Sequence, residues 1–453
     1  MEVIMKTSVI GFPRIGTLRE LKFASEKYFR KEIEVKELLH TAELLRKEHW
    51  AKQKNTGINY ISSNDFSFYD MVLATAVLLG IIPNRYKELH LSELDTYFAM
   101  ARGYQGDFGD VKALAMKKWF NTNYHYIVPE IDDNVSIKLS GNKIWNEYAE
   151  AKEQGIETKP VVIGAYTMLK LCRYTGKQSA ENYVEAMIKA YRELIEKCEE
   201  NQISWIQFDE PSLVQDMNKK DIELFHKIYD NLLTSIKTSK VLLQTYFGDI
   251  RDVYLDLIKM PFAGIGLDFI EGKETYNLIK EYGFPKDKLL FAGLINGKNI
   301  WKNHYEETLK ILSSLKDKEI QTVLSTSCSL LHVPYTLNHE EKLSQDYLSY
   351  FSFAEEKLVE LKELSILAND NDYHKNDLYQ RNTALFARDR KCDNDEVKNR
   401  LAGIIENDYI RLPIRSERQS IQKKALGLPE FPTTTIGSFQ QTTDVKAIRS
   451  AFR

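Results

Sequence analysis

The chain has 453 residues, 43% of them apolar and 28% charged, with a net charge of −3. That length allows one large barrel with additions, or about two to four ordinary domains. The near-neutral balance argues against non-specific binding to nucleic acid.

The opening stretch MEVIMKTSVIGF places acid before base and has no long apolar core, so it does not read as a signal peptide. The longest apolar run, Met71 to Ile82, is interrupted by Thr75 and Gly80. It falls short of the roughly 20 residues that a bilayer span needs, so no membrane partner is expected. Four cysteines occur, Cys172, Cys198, Cys328 and Cys392, and none forms a C-x-x-C pair. A cytoplasmic protein with reduced thiols is the natural expectation.

From residue 7 to about 365, short β-type runs alternate with amphipathic stretches. The runs are TSVI (7–10), NYIS (59–62), YHYIV (124–128), VVIG (161–164), WIQF (205–208), VLLQTY (241–246), GIGLD (264–268), LLFAG (289–293) and TVLSTS (322–327). Several are almost wholly apolar, as strands buried on both faces of a parallel sheet are. Between them, Val184, Met187, Ile188, Tyr191, Leu194, Ile195 and Cys198 recur at helical spacing along one face of 181–200. The alternation predicts an α/β fold, a (β/α)8 barrel. Nine runs compete for eight places. The spare is YHYIV, within the long interval 62–161 where an insertion is expected. Residues 366–430, rich in Asn, Asp, Lys and Arg in their first part, read as an interdomain connection with helical pieces. The run Thr433 to Ile436 reads as a strand. SVIGFPRIGTLRELK (8–22) and TTIGSFQQTTDVKAIR (434–449) share a β-branched approach, Ile-Gly, Phe and a charged helix start. A duplication would explain the pair, with 1–365 one barrel and 431–453 the first strand of another.

Four stretches are candidates for chemistry. In IQFDEPSL (206–213), Asp209 and Glu210 sit where a strand ends, the usual place for barrel catalytic groups. A hydrogen-bond network that holds loops is the plainer reading and the favoured one. In STSCSLLH (325–332), Cys328 and His332 could share zinc, but two ligands are too few and core packing is favoured. Arg14, Arg19, Lys22, Lys117 and Lys118 lie near a strand-to-helix turn or an aromatic cluster and could attract anions, or could be solvated surface charge. In FAGLINGKNIW (291–301), Gly293, Asn296 and Gly297 mark a special turn without phosphate-loop spacing.

Taken together, GFPRIGTLRELK, KWFNTNYHYIVPE, IQFDEPSL, AGLINGKNIW, SCSLLHVP, SERQSIQ and FPTTTIGSF closely resemble cobalamin-independent methionine synthase, over that family's N-terminal half, linker and the opening of its C-terminal half. The resemblance implies two face-to-face barrels. It implies methyl transfer from 5-methyltetrahydropteroyltri-L-glutamate to L-homocysteine, with catalytic zinc held by the C-terminal barrel of the same protein. By position, Leu18, Arg19, Glu20 and Leu21 match the folate-tail segment and Lys118 the isolated folate-binding lysine. Ile436, Gly437 and Ser438 match the homocysteine segment. The family's usual Pro after IGSF is Gln440 here. The zinc ligands fall outside these residues, so no metal and no independent catalysis are expected of the chain. The rival expectation is a self-contained barrel acting as a ligand-binding or structural module.

Overall fold

The computed structural model describes residues 5–388, 394–435, 437, 439 and 441–452. They pack as two compact units, Met1–Ala387 and Arg388–Arg453.

The first unit is a parallel barrel. Its strands are β1 (Lys6–Ser8), β2 (Ile61–Ser63), β3 (Thr158–Ile163), β4 (Trp205–Asp209), β5 (Lys240–Gln244), β6 (Gly264–Asp268), β7 (Leu289–Ile295) and β8 (Thr322–Thr326). Each pairs in parallel with its neighbour, in the order β1-β8-β7-β6-β5-β4-β3-β2. A parallel bridge between Ser8 and Tyr60 closes the ring. The predicted (β/α)8 barrel is therefore present, and each of eight predicted runs overlaps one barrel strand. YHYIV is the spare: His125–Ile127 pairs antiparallel with Met116–Lys118, outside the barrel.

Alternation along each strand sends one side chain inward and the next toward the helices. In β4, Phe208 points outward and meets Tyr191 of the helix Ala180–Glu200 at 5.7 Å between ring centroids. Gln207 and Asp209 point inward. That helix buries the predicted face, Val184 through Cys198. At the bottom of the barrel, Tyr60, Trp205 and Phe291 meet edge to face, with centroids 5.2 to 5.8 Å apart. This plug needs space from β6. A Cβ built on Gly264 would lie 2.8 Å from Phe291 and 3.3 Å from Trp205. Glycine serves here because three large rings already fill the layer.

The helix Ala354–Ala368 follows β8, and Asp377–Phe386 also belongs to the first unit. Asn382 joins it to the barrel helices, accepting from Tyr305 N (2.9 Å) and donating to Asn303 O (2.9 Å). The second unit holds three α-helices among its described residues, Asp395–Ala402, Arg415–Leu426 and Thr443–Ala451, and a 3-10 turn, Glu406–Tyr409. Thr433–Thr435 take part in no strand there. Ile436, Ser438 and Gln440 lie outside the described residues.

Gly264→Val should overpack the plug and cost about 1–3 kcal/mol. Urea unfolding of the chain would show this as a lower midpoint at unchanged slope. An unchanged midpoint would mean that the plug has slack.

Candidate functional site

The mouth of the barrel, at the C-terminal ends of its strands, opens into a cleft of about 690 Å³ that is continuous with solvent. Its floor carries Asp65, Asp209 and Tyr246, and its lining also includes Arg14, Asp70, Trp119, Tyr124 and His332. This is where a (β/α)8 barrel places its chemistry.

A polar axis rises through the barrel to that floor. Lys159 on β3 is fully buried. Its ammonium donates to Val9 O (2.9 Å) and to the Gln207 side-chain carbonyl. Gln207 Nε2 donates to Asp209 Oδ1 (2.7 Å), and Tyr246 OH donates to Asp209 Oδ2 (3.0 Å). Burial pushes the Asp209 carboxyl up and the Lys159 ammonium down, while their mutual attraction opposes both shifts. Asp65 Oδ2 accepts from Phe12 N and Ser62 Oγ, both at 2.8 Å.

Glu210 is turned away from the cleft. It accepts from Tyr166 N (3.0 Å), Thr167 N (2.7 Å) and Tyr229 OH. Here the network reading of the Asp-Glu pair holds for the glutamate: it ties the first turn of the helix Ala165–Leu171 to β4 and to the helix Lys219–Leu233. Asp209, one residue earlier, faces the cleft. Burial pushes the Glu210 carboxyl up to about 7, although all three donors favour its ionised form.

The insertion between β2 and β3 supplies a strap. The hairpin of Met116–Lys118 and His125–Ile127 crosses the mouth. Asp70 holds its base, accepting from Ile127 N (3.0 Å) while also capping the helix Met71–Leu78 through Leu73 N (2.8 Å). Trp119 and Phe120 of the tip pack on Ile10, Tyr246, Phe247 and Cys328. Tyr124 meets His332 edge to face at 5.2 Å.

The candidate residues among those described have definite places. Lys117 and Lys118 are exposed on the strap and form no ion pair among the described residues. Leu18 and Arg19 are exposed beside the mouth, in the loop after β1. Leu21 is buried with Ala42, Leu45 and Phe66. The backbone N–H groups of this turn are largely engaged: Leu18 N donates to Glu20 Oε2 (3.0 Å), Arg19 N to Gly16 O (3.3 Å) and Leu21 N to Ile15 O (3.2 Å). Arg19, at φ 66°, therefore has its N–H engaged and its side chain exposed. Lys22 pairs with Glu26 at 3.7 Å. Arg14 lies in the cleft itself, donating to Ser67 O at 2.7 Å. Of Ile436, Gly437 and Ser438 only Gly437 is described, and it is exposed.

Cys328 and His332 do not fit zinc. Burial pushes the Cys328 thiol well up, against the thiolate that a metal requires. The thiol donates to Ser329 O at 3.7 Å, and Cys328 packs against Ile10, Tyr246 and Phe247. Burial pulls His332 down to about 4. Among the described residues no three His, Cys, Asp or Glu side chains could hold a metal.

Sequence reasoning missed Asp65, Asp70, Lys159 and Tyr246. The polar run SSNDFSFYD after β2 carried a signal for the two aspartates. Nothing local marks Lys159, which lies within a strand and answers carboxylates on β4 and after β2.

A closed parallel barrel whose strand ends surround a carboxylate-floored cleft, crossed by a basic strap, belongs to the (β/α)8 class. Residues 6–320 match the family described as cobalamin-independent synthase, N-terminal domain. The 5-methyltetrahydropteroyltriglutamate--homocysteine methyltransferase of Campylobacter jejuni subsp. doylei is 52% identical over 449 residues, 99% of this chain and 59% of the relative. Its counterpart from Lactococcus lactis subsp. cremoris SK11 is 51% identical over 450 residues, again 99% and 59%. The chain thus spans 59% of the length of these curated relatives. A solved B12-independent methionine synthase from Shewanella sp. W3-18-1, in complex with selenomethionine, shares the fold at TM-score 0.54 and 16% identity, over 81% of this chain and 98% of that one. The chain belongs to the cobalamin-independent methionine synthase family, of which it carries the N-terminal domain.

Two outcomes follow from the site. The ordinary value for Glu210 is 4.5 and its folded value is about 7. A raised carboxyl contributes stability below the ordinary value, and that contribution is lost as pH rises through the folded one. The thermal midpoint should therefore fall between pH 4.5 and 7, and Glu210→Gln should flatten part of that fall. An unchanged slope would show Glu210 ionised throughout. Metal analysis of the dialysed chain should find no stoichiometric zinc; one tightly held zinc per chain would mean that Cys328 and His332 find further ligands.

Proposed function

We propose that this chain is the folate-binding part of a methyltransferase that moves a methyl group from 5-methyltetrahydropteroyltri-L-glutamate to L-homocysteine, giving methionine. The observation that carries the reading is identity of about half over almost the whole chain with relatives named for that reaction. In the longer protein, residues 1–365 supply the barrel, 366–430 a connection, and 431–453 the start of a second barrel that holds the catalytic zinc. Ile436, Gly437 and Ser438 then help to bind homocysteine. The chain alone is inactive, and the whole protein works in the cytoplasm. No helix of the described residues is long and apolar enough to cross a membrane.

Within this half, the tail of the folate is taken by Leu18 to Leu21 and by Lys118. A polyglutamate tail offers carboxylates and little else. The geometry that supports the assignment is the pair of exposed cations at one end of the barrel: Arg19 follows β1, and Lys118 stands on the strap that follows β2. Both lack internal carboxylate partners among the described residues. An exposed ammonium binds a mobile tail as a point charge.

Lys118→Ala in the full-length protein should raise KM for the triglutamate substrate about three- to tenfold, the worth of a partly shielded charge pair. It should leave kcat nearly intact, because the tail binds ground and transition states alike. Added salt should narrow the difference. A fall in kcat at constant KM would remove Lys118 from the tail site.

A further inference from the structure

The sequence motif INGKN, which no binding role has absorbed, lies opposite the tip of the strap. Lys298 within it donates to Asn121 Oδ1 at 2.9 Å and pairs with Glu271. Asn121 Nδ2 donates to Glu271 Oε2 at 2.6 Å. The three side chains thus close a ring in which the amide gives to the acid and takes from the ammonium. Only an ordered arrangement satisfies all three at once. The Lys298 ammonium also lies 5.4 Å above the ring of Phe247, against which Phe120 of the tip packs at 5.8 Å.

Both barrel partners are held by hydrogen bonds that do not involve the strap. Asp268, at the end of β6, is buried and accepts from Ile270 N (2.7 Å), Glu271 N (2.9 Å) and Phe247 N (2.9 Å). It therefore sets the loop that presents Glu271. Asn296, just after β7, accepts from Lys298 N (2.9 Å) and Asn299 N (3.1 Å), which sets the loop that presents Lys298. The Glu271 and Lys298 side chains are themselves only about a quarter exposed.

We propose that Asn121, Glu271 and Lys298 form a latch that positions Lys118, three residues before Asn121, for the folate tail. This rests on the assignment of Lys118 to the tail. With its base tied to Asp70 and its tip tied to loops after β6 and β7, the hairpin spans the mouth at two fixed points. Lys118 lies between them, on the strand paired with His125. None of the three latch residues touches the tail; they are positioning residues. They act by keeping the hairpin in the binding-competent state, and apparent affinity falls in proportion to the population of that state.

The test compares Glu271→Ala, Lys298→Met and Lys118→Ala, singly and with Lys118→Ala added to each of the first two, in the full-length protein. Glu271→Ala and Lys298→Met should each raise KM for the triglutamate substrate about three- to tenfold at nearly constant kcat, as expected for a loss of the competent population. In the Lys118→Ala background either change should add less than about twofold, because the latch acts through that lysine. Amide exchange gives a reading that does not depend on turnover. Trp119 N, bonded to Tyr124 O, and Thr122 N, bonded to Trp119 O, should exchange faster in both latch variants, while amides of the barrel strands stay protected. If Lys118→Ala raises KM and neither latch variant does, the latch is overturned and the tail assignment stands. Multiplicative effects on KM would likewise overturn it, since the latch would then act elsewhere. If Lys118→Ala leaves KM unchanged, the tail assignment fails and the role given to the latch fails with it.

Discussion

The mouth of this barrel depends on one recurring interaction: a buried or half-buried carboxylate at or soon after a strand end takes backbone N–H donors from a loop or a helix start. Asp65 after β2 holds Phe12 N, Glu210 after β4 holds Tyr166 N and Thr167 N, and Asp268 on β6 holds three loop amides. Asp70 does the same for a helix start and for the hairpin at once. A buried carboxylate without such donors would carry an uncompensated desolvation cost. A loop amide without an acceptor would be an orphan. Each satisfies the other, and the loops around the cleft are held as a consequence.

The same interaction explains a division of labour between adjacent residues. Asp209 and Glu210 follow one another at the end of β4, yet only Asp209 lines the cleft. Strand alternation turns one inward and the next outward. The outward side chain meets the N–H groups of Tyr166 and Thr167 and the Tyr229 hydroxyl, and so serves the scaffold. The inward side chain joins Gln207, Lys159 and Tyr246 in the interior. Two carboxylates of one motif thus have different surroundings, one structural and one facing solvent through the cleft.

The strap shows how an insertion becomes part of a site. Its strands are short and its own pairing is slight. Its position comes from what it meets: Asp70 at the base, an aromatic bed of Tyr246, Phe247 and His332, and a polar ring at the tip. Such an element is held by tertiary contacts and carries exposed basic residues over a barrel mouth. That arrangement suits recognition of an extended anionic ligand better than chemistry on a buried one.

The sequence by itself determined the eight strands, the amphipathic helix of 181–200 and the family. Strand hydrophobicity, helical period and long motifs are local properties that survive in one dimension. It also placed Asp209 and Glu210 at a strand end, and it set YHYIV aside as the spare run. Only the tertiary structure decided which of that carboxylate pair faces the cleft, because inward and outward are defined by barrel closure. Only it brought Lys159 of β3 beneath Asp209 of β4, and Asn121 beside Glu271 and Lys298, partners 150 and 177 residues apart in the chain. It also showed the N–H groups of Leu18, Arg19 and Leu21 to be engaged within their own turn. Local pattern names the groups that can form contacts, but contacts between remote strands and loops are set by the closed ring that carries them.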